Sequence, residues 1–100
     1  MLHSFYPTNK TNKKLQKTIY VEESGHMIPR GIKYDGAVLS ISSLKKTRRI
    51  FPGTVDSFSL VNGGNRSFFV LYTTEFGRIE FNVRRIIDAS TIQTILESLN

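Results

Sequence analysis

From Thr18 onward the chain alternates between apolar and polar positions in short runs separated by turn-forming residues. Ile19-Tyr20-Val21 is β-branched and aromatic, and Gly25 ends it. Pro29-Arg30-Gly31 breaks the pattern before Ile32-Lys33-Tyr34, which meets Asp35-Gly36, a two-residue signal for a tight hairpin. Ala37, Leu39 and Ile41 then recur at period two opposite Val38, Ser40 and Ser42, which predicts a strand buried on one side. Ile50-Phe51 leads to a turn at Pro52-Gly53. The run 54–61 alternates again, and Asn62-Gly63-Gly64-Asn65 supplies another hairpin turn. Residues 67–73 are apolar at successive positions, so the pattern predicts a central strand covered on both faces. After Gly77, which suits a left-handed turn position, Ile79, Phe81 and Val83 share one face of a strand. Arg78, Glu80, Asn82 and Arg84 share the other, so Arg78 and Arg84 read as its wet side.

The period changes at the C-terminal end. Ile92, Ile95, Leu96 and Leu99 stand at i, i+3, i+4 and i+7, one stripe of an α-helix over about residues 89–99. Ser90 with Gln93 matches a capping box, and Asp88 suits the positive end of the helix dipole. Five to seven short strands closed by one amphipathic helix make a mainly β fold. The expectation is a small antiparallel barrel or bent sheet capped at an open end by the helix.

The order of a turn, FFVLYTTEFGRIEFNV and then DASTIQTILESL resembles the ending of bacterial pleckstrin-homology-like domains. DGAVLSI, a basic segment and IFPGTVDSFSLV upstream are similar as well, so the resemblance spans about residues 18–99. It is one of pattern and rests on no diagnostic motif. It implies a non-catalytic interaction module. A rival resemblance is to Sm-like or SH3-like barrels with an R-I-x-F-x-V-x-R-I strand near the end, where the C-terminal helix is harder to place.

Length and charge sharpen this picture. A chain of 100 residues carries one modest core. Its formal charge of +6 is uneven: residues 1–17 contribute +4 through Lys10, Lys13, Lys14 and Lys17, and the remainder only +2. Residues 1–17 therefore read as a basic, polar arm, and residues 18–100 as the folded domain. The arm's TNKTNKK is too polar to pack, whereas Leu2, Phe5 and Tyr6 could dock. No signal-peptide h-region and no membrane-spanning apolar run occurs, so a cytoplasmic protein is expected, with membrane association open to it.

Catalysis finds little support. The chain has no cysteine, hence no thiolate nucleophile and no cysteine-ligated zinc. His26 lies in a break between strands with no nucleophile elbow beside it. Glu22 and Glu23 are adjacent in a strand and so face opposite sides. Glu80, with arginines on its face, is expected to form cross-strand ion pairs. Gly63-Gly64 is flanked by asparagines and reads as a turn, not a phosphate loop. The expectation is no catalytic residue, no metal and no cofactor.

The candidate binding residues are cations. Lys45, Lys46, Arg48 and Arg49 form a compact group expected to project as a loop, with Arg84, Lys13 and Lys14 as further candidates. The leading function is a module that docks a protein partner, with an anionic membrane surface as its setting. The alternative is a small nucleic-acid-binding protein using the same cations. An exposed edge strand could also pair two copies into a homodimer, although the sequence does not say which edge.

Overall fold

A computed structural model describes Lys14, Leu15 and residues 17–100. Lys10, Lys13 and the expected anchors Leu2, Phe5 and Tyr6 lie outside the described residues. Among the described residues, seven antiparallel strands follow in chain order: β1 (Ile19–Glu23), β2 (Arg30–Tyr34), β3 (Leu39–Ser42), β4 (Thr47–Ile50), β5 (Val55–Gly63), β6 (Arg66–Thr73) and β7 (Gly77–Val83). The sheet order is β4-β3-β2-β1-β7-β6-β5, a meander in which β1 also pairs with β7. That β1–β7 junction is slender, with Glu22 opposite Asn82 and Glu23 opposite Phe81. The sheet curls into a half-barrel, leaving β4 and β5 as its two edges.

Period-two alternation explains the concave face. Ile19 and Val21, Ile32 and Tyr34, Leu39 and Ile41, Phe69 and Leu71, and Ile79, Phe81 and Val83 all turn inward and are buried. Phe69 and Phe81 sit opposite one another in the β6–β7 ladder and stack with ring centroids 5.2 Å apart. Thr73 Oγ1 donates to the Gly77 carbonyl and accepts the Phe76 N–H, closing a turn that needs Gly77 at φ +67°.

The remaining side of the core is supplied by the one helix among the described residues, α1 (Ile86–Leu99). Ala89, Ile92, Ile95, Leu96 and Leu99 are buried, so the predicted stripe packs on the sheet. At the helix C-terminus the Leu99 carbonyl accepts the Gly53 N–H at 2.8 Å, and Ser98 Oγ lies 3.3 Å from the Tyr34 hydroxyl. The helix thus spans the mouth of the half-barrel between its two halves.

Three expectations need correction. The helix begins at Ile86, not at a Ser90 cap: Arg85 is the N-cap, with extended backbone and no side-chain capping bond. Ser90 lies inside the helix, where its carbonyl accepts the Thr94 hydroxyl. The chain passes from β7 into the helix with almost no loop, and burial of Ala89 secures the extra turn. Strand β6 is neither central nor covered on both sides: it lies next to the β5 edge, and Phe68 and Tyr72 are exposed on its convex face. The Asp35-Gly36 turn is tight but lies one residue later than expected: Gly36 and Ala37 form the loop, the Asp35 N–H donates to the Val38 carbonyl at 3.3 Å, and Asp35 Oδ1 accepts the N–H groups of Ala37 and Val38.

Candidate interaction surface

Two hairpin tips meet at one end of the half-barrel. The first, residues 24–29, joins β1 to β2. It turns at Gly25 (φ +82°), and the His26 N–H donates to the Glu23 carbonyl. The second joins β3 to β4 and is a tight turn of Leu44 and Lys45. Its closing residues are bonded through the Ser43 N–H to the Lys46 carbonyl at 2.9 Å. Ser42 Oγ and Thr47 Oγ1 add a contact at 3.1 Å one step below.

The apices are apolar. Met27 is fully exposed, Leu44 is 85% exposed and Ile28 is 52% exposed. A shallow cleft of about 440 Å³ separates the two tips, with Met27, Ile28 and Leu44 on its walls beside Lys45 and Lys46. Two hairpins therefore hold unburied aliphatic side chains and lysines together on one projecting end.

Beneath the tips lies a partly buried charge cluster. Glu23, Arg30 and Arg48 occupy the inward positions at the ends of β1, β2 and β4, where the apolar core gives out. Arg48 binds the Glu23 carboxylate with both terminal nitrogens, Nη1 to Oε2 at 3.1 Å, and Arg30 Nε donates to Oε1 at 3.0 Å. These side chains are only 12–21% exposed. Burial alone would raise the Glu23 carboxyl. The hydrogen bonds and positive charge of Arg48, joined by Arg30, outweigh it and hold the group below its ordinary value.

On the convex face Glu22 gathers a second, wetter set. Its Oε1 accepts Arg66 Nη1 at 2.9 Å and its Oε2 accepts Arg84 Nη2 at 3.0 Å. The two adjacent glutamates thus serve opposite faces. Glu80 pairs with Arg78 two residues earlier in the same strand, at 2.6 Å, and not across strands as expected.

The sequence-predicted cations are consequently dispersed. Lys45 and Lys46 stand exposed at the tip. Arg49 is exposed on the convex side of β4, opposite Ser40. Arg48 is not part of a projecting loop: the strand begins at Thr47, and parity with Ile50 turns it inward onto Glu23. Arg84 is exposed but ion-paired with Glu22. Lys14 is exposed next to the β2–β3 turn at the opposite end of β2, where its charge adds to the backbone bonds that lower the Asp35 carboxyl. Lys13 lies outside the described residues. The sequence reading missed Met27, Ile28 and Leu44; the signal was apolar residues inside turn segments, GHMIP and SLKK.

Among the described residues no three histidine or acidic side chains are grouped to hold a metal ion. No helix among them is long and apolar enough to cross a membrane. No protein-family model matches the chain, and no curated protein matches it.

Proposed function

We propose that this chain is a non-catalytic interaction module that docks on an anionic membrane surface through its paired hairpin tips. The observation that carries this reading is the exposure of Met27 and Leu44 at the apices with Lys45 and Lys46 beside them. Burying each aliphatic side chain in the acyl–headgroup boundary contributes about 1.5–3 kcal/mol. Each lysine near an anionic surface adds about 1 kcal/mol. The sum suits reversible docking, not permanent anchorage. A protein partner recruited to the same surface would use the convex sheet face, where Phe68 and Tyr72 are exposed. The seven-strand meander closed by a C-terminal helix is compatible with the pleckstrin-homology-like resemblance. A cytoplasmic, membrane-associated location goes with it.

The nucleic-acid reading draws less support from the geometry. Of the block at 45–49, only Lys45 and Lys46 share a surface free of acidic partners, because Arg48 is neutralised by Glu23 and Arg49 faces another side. Phosphate readout in register needs cations on one face.

Sedimentation of the full chain with vesicles tests the proposal. Binding is expected with phosphatidylserine-containing vesicles and not with phosphatidylcholine alone, and Leu44→Ser with Met27→Ser should abolish it. Equal binding by that double variant, or retention on DNA or RNA but not on vesicles at physiological salt, would overturn it.

A further inference from the structure

The two sheet edges differ in a way that points to self-association. Edge strand β4 is four residues long and carries Arg48 and Arg49, so pairing it with its own copy would set arginines against arginines. Edge strand β5 is nine residues long, and its only charge is Asp56 near the start. The irregularity between Val55 and Ser57 lies at that same end, leaving 57–63 unbroken in register with β6.

The register also fixes which backbone groups are free. Gly63 and Arg66 close a two-residue turn in which Gly64 has φ +64°, so they form a hydrogen-bonded pair. Alternation then turns Val61, Ser59 and Ser57 toward β6 and leaves the N–H and C=O groups of Asn62, Leu60 and Phe58 pointing away. Those three positions are symmetric about Leu60. Phe58 and Leu60 are only partly buried against the core, and Val61 is 61% exposed.

We propose that β5 pairs antiparallel with β5 of a second copy about a two-fold axis at Leu60, joining the two half-barrels into one continuous sheet. In this arrangement Leu60 meets its own counterpart, and Asn62 exchanges hydrogen bonds with the partner's Phe58. Val61 stands over the partner's Ser59, and no like charges face each other within 58–62. The interface is isologous, as a two-fold dimer requires. Being limited to one strand per copy, it predicts a reversible dimer in the micromolar range, at the small end of specific interfaces. The proposal does not depend on the membrane reading.

Sedimentation equilibrium of the full chain, from low micromolar to near-millimolar concentration, tests it against two variants. Asn62→Pro removes an outward N–H that none of the described residues uses, at an edge position where proline is tolerated, and it also takes away the Oδ1 that accepts the buried Ser67 hydroxyl at 2.9 Å, so its own stability is measured alongside. Val61→Lys acts on the solvent side and brings two cations near the axis. The wild type is expected to dimerise as concentration rises, and both variants, with unchanged circular dichroism, should weaken dimerisation by at least tenfold. If Asn62→Pro fails to fold, Val61→Lys alone decides. A wild type monomeric throughout, or a folded Val61→Lys that dimerises as the wild type does, would overturn the proposal.

Discussion

Replacing Glu23 by glutamine probes the cluster beneath the tips. The substitution keeps the side-chain volume and removes the one carboxylate that accepts three guanidinium hydrogen bonds, one from Arg30 and two from Arg48. Two cations then remain side by side at 13% and 21% exposure, and glutamine's carbonyl can satisfy only part of their hydrogen bonding. Breaking a fully buried ion pair costs about 3–5 kcal/mol. The cluster borders a cleft of about 230 Å³ through which water can reach the freed guanidinium groups. Partial hydration lowers the expected cost to about 2–4 kcal/mol. For a domain of this size the melting temperature should fall by roughly 10–25 °C. Thermal and urea denaturation followed by circular dichroism measure it. Adding Arg48→Gln to the first change should recover part of the loss, because it removes one of the stranded charges. A Glu23→Gln protein within about 0.5 kcal/mol of wild type would show that the cluster behaves as a solvated surface pair, and the reasoning would fail.

Other outcomes follow from the same structure. Leu96, fully buried on the helix stripe, should cost about 2–5 kcal/mol when changed to alanine, read from denaturant midpoints. Because the folded-state carboxyls of Glu23 and Asp35 lie below their ordinary values, the unfolded chain binds more protons in acid. The stability they contribute is present above about pH 5 and should be lost as pH falls through the folded values, and the acid slope should be shallower in Glu23→Gln. Where Glu23→Gln stays folded, the freed Arg30 and Arg48 should raise its affinity for phosphatidylserine vesicles relative to wild type. Arg84→Ala, which releases only an exposed pair with Glu22, should change stability by less than about 1 kcal/mol and leave vesicle binding unchanged.

How much of this was readable without coordinates depended on whether the controlling contact is local. The half-barrel class and the helix stripe followed from period two giving way to a helical period, which is a property of neighbouring residues. The helix start did not, because the extra turn at Ile86 is held by Ala89 packing on the sheet and not by a capping side chain. The apolar Phe68 and Tyr72 suggest that strand β6 is covered on both faces, yet each is 45% exposed, because no second layer packs on the convex side among the described residues. Arg48 is the most instructive residue. Its parity with Ile50 was present in the sequence, but its partner is 25 residues away on β1, and only the register of four strands brings the two together. The tip surface was hidden for the converse reason. Glycines, prolines and charges mark a segment as a turn whatever else it holds, and Met27 and Leu44 form a surface only once the two tips lie side by side.

The docking surface itself can be tested where it would meet the bilayer. The chain has no cysteine, so Leu44→Cys and Met27→Cys can each carry a single environment-sensitive fluorophore. With vesicles containing phosphatidylserine and brominated acyl chains, both labels should shift to the blue and be quenched on binding, while a label at Ser90 on the exposed side of α1 stays unchanged. Vesicle binding that leaves both tip labels in water would contradict insertion of the hairpin apices.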